Sequence, residues 1–190
     1  MSTQPITKLT AEEYLELERR SEFRSEYLDG QVFAMAGGTI DHARILTNTL
    51  SALTSELGDR DCEAASSDVR VHIAAYRVFT YPDIVVWCGT PQLYGDRRDV
   101  ISDATFIVEI LSPSNKNYDR AEKFEYYRSL PSFSEYLLLA QDRVLAELHT
   151  RLEDGSWLFR DFTSLEDAVE LKSIACRLPL QALYRHVEFA

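Results

Sequence analysis

Thr105-Phe106-Ile107-Val108-Glu109-Ile110-Leu111 is an apolar run with a single carboxylate near its centre. Its length and β-branched content suit a strand. An ionised carboxylate inside such a strand is costly unless it is paired, hydrogen-bonded or bound to a cation. Two readings of Glu109 follow: a ligand, or a strand-end acid whose head reaches water or an arginine. Upstream, Tyr81-Pro82-Asp83-Ile84-Val85-Val86-Trp87-Cys88 places proline where a strand can begin and a β-branched run at its centre. A central strand is expected after Pro82. Downstream, Ser112-Pro113-Ser114-Asn115 breaks the Glu109 strand, and a helix is expected over 119–130, with Asp119 as N-cap and Pro131 beyond its end.

Working outward, Thr10 and Glu13 form the pattern of a capping box ahead of a helix over 11–20. Asp29-Gly30 reads as a turn before a short strand that ends at Gly37-Gly38. From Ile40 to Leu57, Ala43, Leu46, Leu50, Leu53 and Leu57 recur at spacings of three and four, so one helical stripe faces a core. Over 67–74, Val69, Val71 and Ile73 alternate with Arg70 and His72, the period of a half-buried strand. Strands are expected over 135–141, 144–151 and 157–162 as a closing meander, then a short helical cap ending near Tyr184. The elements amount to an α/β (α+β) fold. With 190 residues and no repeat or linker, one domain over 1–190 is expected.

Composition narrows the function classes. Hydrophobic residues at 45% and charged residues at 27% describe an ordinary globular chain with a real core. No apolar run reaches the roughly 18 residues a membrane span needs, and the start MSTQPITKLTAEEY has neither a basic n-region nor an apolar h-region. No membrane association is expected, and a cytoplasmic location is. Cys62, Cys88 and Cys176 are odd in number and far apart, which suggests neither a disulfide framework nor a zinc site and suits a reducing compartment. A net charge of −11 argues against a broad basic surface for nucleic acid. A divalent cation can still attract phosphate locally.

Asp83 alone reads equally as a turn-stabilising residue. With Glu109 it reads differently, because two strands each carrying one acid can present both carboxylates to a single hard cation, Mg²⁺ or Mn²⁺. Water and a phosphate oxygen would complete the shell. Lys123, one turn beyond Asp119, can reach back over the acids and offset phosphate charge, or it can sit in solvent beside neighbouring glutamates. Tyr127 shares its face and either touches substrate or packs. His42 can contact phosphate or the metal site, or be structural. Asp68 can add a supporting carboxylate behind the ligands or act as a cap.

Taken as a set, Pro82-Asp83, Val108-Glu109-Ile110-Leu111-Ser112-Pro113-Ser114, Tyr118-Asp119-Arg120, Lys123 and Tyr127 resemble the bacterial Uma-two family of restriction endonucleases, within the PD-(D/E)XK nuclease superfamily. The resemblance extends from Glu26-Tyr27-Leu28-Asp29-Gly30 and Met35-Ala36-Gly37-Gly38 to Tyr136 and Leu180, nearly the whole chain. It implies a restriction-endonuclease-like mixed β-sheet core flanked by helices, a divalent metal held by Asp83 and Glu109, Glu26 as an accessory acid, and phosphodiester hydrolysis. Leu111 stands where the superfamily's E-x-K lysine would be. The resemblance therefore points to Lys123, on the following helix, as the catalytic lysine. Homodimerisation follows by analogy.

The leading expectation is a Mg²⁺- or Mn²⁺-dependent endonuclease acting on DNA. The alternatives are a catalytically inactive nuclease-like binding or regulatory module, favoured by the acidic charge and the absent E-x-K lysine, and a hydrolase of smaller phosphate esters.

Overall fold

Thr10 decides where the chain first becomes regular. Its hydroxyl accepts the Glu13 N–H while the Glu13 carboxylate accepts the Thr10 N–H, and this capping box opens α1 (Ala11–Arg20). The computed structural model describes residues 8–35, 37–112 and 115–189. The expectations for the N-terminal leader and for Pro113-Ser114 lie outside those residues. At Asp29-Gly30 the chain turns with φ of 43° and 94°, the paired positive values that favour Asp-Gly in a two-residue hairpin. The turn joins β1 (Ser25–Leu28) to β2 (Gln31–Ala34). The sequence signalled the second strand alone, because Ser-Glu-Tyr-Leu carries no apolar run.

The amphipathic segment is α2 (Ile40–Leu57), N-capped by Thr39. Its buried side is Ile45, Thr49, Leu53 and Leu57, with Leu46 and Leu50 half-buried; Ala43 is exposed, so the stripe is rotated from the one read in the sequence. The strands then follow as β3 (Cys62–Ser66), β4 (Arg70–Ile73), β5 (Val78–Thr80), β6 (Ile84–Cys88), β7 (Leu93–Tyr94), β8 (Arg97–Ile101), β9 (Phe106–Leu111), β10 (Glu135–Ala140), β11 (Ala146–Arg151), β12 (Trp157–Phe162), β13 (Ala168–Leu171) and β14 (Cys176–Pro179).

They form two mixed six-stranded sheets and a hairpin. One sheet runs β2-β1-β5-β4-β8-β7, the other β12-β11-β10-β9-β6-β3, and β13 pairs with β14. In the second sheet β9 is parallel to β10 and antiparallel to β6. Alternation along β9 separates two cores. Phe106, Val108 and Ile110 pack with α2 and the C-terminal segments. Ile107 and Leu111 pack instead with Val71, Ile73 and Val78 of the first sheet and with Tyr126 and Tyr127 of the helix after β9. Helices flank the sheets, as expected. No helix among the described residues is long and apolar enough to cross a membrane.

Three local expectations are corrected. Cys62 and Cys88 are joined in a disulfide, since the β3–β6 register sets them face to face; separation along the chain gave no hint of this. Cys176 is a free, buried thiol. Arg70, expected on a wet strand face, is buried beneath the Tyr81 ring and paired with Asp99. The third concerns the start of the helix after β9 and belongs with the site.

A buried acid also organises the C-terminal part of the fold. Glu135 on β10 accepts hydrogen bonds from the Thr150 hydroxyl at 3.1 Å, the Lys172 N–H at 3.2 Å, the Ser173 N–H at 3.0 Å and the Ser173 hydroxyl at 2.5 Å. It thereby ties the β13–β14 hairpin to the sheet. Removing a charged, buried partner leaves its donors unsatisfied. Glu135→Ala is expected to lower the unfolding free energy by about 3 kcal/mol in urea titration; a change under about 0.5 kcal/mol, the size of an ordinary surface substitution, would overturn this assignment.

Candidate active site

Register brings the two strand acids together. Ile84 of β6 pairs with Val108 of β9, and one step further along the same ladder Asp83 stands opposite Glu109. They share a face, because Val85 and Trp87 alternate in phase with Asp83, Ile107 and Leu111 alternate in phase with Glu109, and all four lie in the same core. Backbone groups lock the pair. The Ile110 N–H donates to Asp83 Oδ2 at 2.7 Å, and the Asp83 N–H donates to Glu109 Oε2 at 3.4 Å.

The helix after β9 does not begin at Asp119. Lys116–Tyr118, a π-helical turn over Asp119–Lys123 and Phe124–Tyr127 follow one another, so Asp119 lies inside the helical run. Asn115 does not cap that run; its side chain instead accepts the Ser112 N–H at 2.6 Å, fastening the strand end. π-Turns occur frequently at functional sites. This one aims Lys123 at the acids: its Nζ lies 3.0 Å from Glu109 Oε1, 3.2 Å from Glu26 Oε1 and 3.6 Å from Asp119 Oδ1. Glu26 arrives from β1 of the other sheet and also accepts the Thr80 hydroxyl and, at 3.2 Å, the Tyr81 N–H. The Tyr127 hydroxyl donates to Glu109 Oε1 at 2.9 Å, and His42 Nε2 at the start of α2 lies 3.3 Å from Asp83 Oδ2.

Asp83, Glu109, Lys123 and Glu26 therefore converge, joined by His42 and Tyr127. Asp68 does not: its side chain is 77% exposed and pairs with Arg24. Leu111, at the E-x-K position, is buried in the core. Asp119 is the residue whose place here the sequence reading missed. Its signal was present, an acid four positions before Lys123 on one helix, but an aspartate after a loop reads first as a cap. It is fully buried, and neither carboxylate oxygen has a hydrogen-bond partner among the described residues.

Charge at this cluster is unbalanced. Four carboxylates meet one ammonium and one imidazole. Burial raises the Glu109 carboxyl well above the ordinary range; Lys123 opposes this, and Asp119, Asp83 and Glu26 reinforce it. Asp119 is pushed up to about 6, again by burial first, against Lys123. Burial works to lower the Lys123 ammonium, but Glu109, Glu26 and Asp119 outweigh it and hold the lysine charged. His42 is likewise raised, its burial outweighed by Asp83 and then Asp119.

A divalent cation suits this excess of negative charge, and carboxylates are the hard oxygen donors that Mg²⁺ and Mn²⁺ take. Asp83 and Glu109, facing one another across the ladder, are the residues that could hold one. No group of three or more His, Cys, Asp or Glu among the described residues is arranged as a ready-made cage. Mg²⁺ commonly needs only one or two carboxylates, with water supplying the rest.

The raised Asp119 has a thermodynamic consequence. A carboxyl that binds its proton more tightly folded than unfolded contributes stability that is fully present below its ordinary 3.8 and is lost as pH rises through about 6. The stability of the wild type relative to Asp119→Asn, in cation-free buffer, is therefore expected to fall by on the order of 2 kcal/mol between about pH 4 and about pH 7. Urea titrations at each pH check this; a flat difference would remove the assignment.

Similarity to other proteins extends over most of the chain. The model of the Uma2 family, described as "Putative restriction endonuclease", matches residues 11–181. Two proteins of Synechocystis sp. (strain ATCC 27184 / PCC 6803 / Kazusa) are similar in sequence. Uncharacterized protein slr1290 is 36% identical over 187 residues, covering 97% of this chain and 96% of its own. Uncharacterized protein sll1609 is 32% identical over 162 residues, covering 85% and 92%. A crystal structure from Anabaena variabilis ATCC 29413, described as "a putative nuclease belonging to DUF820", superposes with a TM-score of 0.74 at 19% identity, over 93% of this chain and 97% of that one. At that identity the likeness concerns the fold. With the family model spanning most of the sequence, the chain belongs to the Uma2 family.

Proposed function

We propose that this protein is a divalent-cation-dependent endonuclease that hydrolyses phosphodiester bonds of DNA, with Asp83 and Glu109 holding Mg²⁺ or Mn²⁺ and with Lys123 and Glu26 completing the catalytic set. The observation that carries the reading is the facing pair Asp83 and Glu109, with the Lys123 ammonium 3.0 Å from Glu109. Family membership supports the nuclease class.

When bound, such a cation supplies Lewis-acid polarisation of a phosphate oxygen and a more acidic water. The chain's own groups do the rest. Asp83 and Glu109 give the site its negative charge at fixed positions, since a backbone N–H group holds each carboxylate. Lys123 keeps its protons on Nζ and offsets the negative charge that builds on the phosphoryl oxygens. Glu26, itself anchored by Thr80 and Tyr81, keeps that ammonium over the site. Tyr127 and Tyr136 wall the inner side, where low polarity strengthens every one of these interactions. His42 orients Asp83 from α2. A homodimer would bring two such sites to the two strands of a duplex.

The net charge of −11 favours a second reading, a nuclease-like module that binds or regulates without cleaving. Plasmid cleavage with Mg²⁺ or Mn²⁺ separates the two. The wild type is expected to cut, while Asp83→Ala, Glu109→Ala and Lys123→Ala each lose at least about 100-fold in rate. Equal activity in all four proteins, or no cleavage of any DNA by the wild type, would leave the binding module.

A further inference from the structure

Lys123 has three carboxylates within reach, and they are not equivalent. Glu109 is committed to the Tyr127 hydroxyl and the Asp83 N–H, and Glu26 to Thr80 and the Tyr81 N–H. Asp119 has the weakest hold on its surroundings: it is fully buried, both oxygens lack hydrogen-bond partners among the described residues, and its ion pair with Lys123, at 3.6 Å from Oδ1, is longer than those of Glu109 and Glu26. A buried carboxylate without donors is costly, and such groups in native structures call for a reason. The same turn that carries Asp119 carries Lys123. It is a π-turn covering just those five residues, and the Tyr136 hydroxyl holds it from below by donating to the Asp119 carbonyl at 3.1 Å.

The ammonium also obstructs the proposed reading. At 3.0 Å from Glu109 Oε1 it lies where like charge opposes a divalent cation on that carboxylate. For Glu109 to take the cation, Lys123 must have somewhere to go that is still inside the site.

We propose that Asp119 is the second seat of Lys123: the ammonium rests on Glu109 while the acids are free of metal, and withdraws to the open oxygens of Asp119 when Glu109 takes a divalent cation. Asp119 is thus a positioning residue acting through the lysine, and the proposal rests on the cation-dependent reading above. The withdrawal satisfies Asp119, removes the like-charge opposition at Glu109 and keeps Lys123 charged beside the phosphate position. A cation that favours the withdrawn arrangement shifts the lysine toward it, and removing the seat lowers the affinity for the cation by the same linkage.

Calorimetric Mn²⁺ titration of the full-length protein tests this with the wild type, Asp119→Asn, Lys123→Met and the double variant. Both substitutions conserve volume, and circular dichroism checks that each folds. Asp119→Asn is expected to weaken Mn²⁺ binding about 10-fold when Lys123 is present and less than about 3-fold when residue 123 is methionine. A purely structural or field effect of Asp119 would cost the same in both backgrounds, and that result overturns the proposal. Wild-type affinity in Asp119→Asn overturns it while leaving the nuclease reading intact; no saturable Mn²⁺ binding by the wild type overturns both. If Lys123→Met does not fold, a Mn²⁺-soaked crystal of the wild type decides. Nζ bonded to Asp119 and released from Glu109 supports the proposal, and Nζ still on Glu109 overturns it.

Discussion

Everything at the site depends on two carboxylates held face to face across an antiparallel pair of strands. Strand pairing is what makes this possible. A backbone N–H reaches each acid from the other's strand, Ile110 to Asp83 and Asp83 to Glu109, so the ladder fixes both side chains without any flexible link. Two like charges at close range in a buried place oppose one another, and the surrounding elements answer that opposition. The π-turn brings Lys123, α2 brings His42, and the first sheet contributes Glu26 with its own anchors.

Glu109 and Glu135 form an internal comparison. Both are glutamates buried on neighbouring parallel strands of one sheet. Glu135 is saturated by four donors and faces a hairpin it holds in place. Glu109 lies among other acids, with a lysine and a tyrosine as its side-chain donors. The first arrangement lowers the energy of the fold; the second retains charge opposition that a fold alone has no use for. Burial of an acid is thus not by itself a mark of function. What sets the two places apart is the company of other acids, and Asp119, with no hydrogen-bond partner among the described residues for either oxygen, is the extreme of it.

The capping box, α2, the strand after Pro82, the Glu109 strand and the Asp-Gly turn were all readable, because each is written in local chemistry: a side chain that caps, a period, a β-branched run, a residue pair that tolerates positive φ. The resemblance carried the acids and the lysine as a set. Other features left no local trace. Arg70 looks like a wet strand residue until Tyr81, from the connection between β5 and β6, covers it, and the β13–β14 hairpin has no strong pattern because part of its support is Glu135, more than thirty positions earlier.

By itself, the sequence determined which residues carry charge into apolar strands, where α1, α2 and the Asp29-Gly30 turn begin, and the family to which the chain belongs. Tertiary structure alone decided that Asp83 stands opposite Glu109, that Cys62 meets Cys88, and that Asp119 is a buried neighbour of Lys123 instead of a helix cap. The physical reason is the same in each case. Register and helix geometry are set by the sum of many pairings across the fold, and a single residue's local preference is too weak to reveal which partner those pairings will deliver.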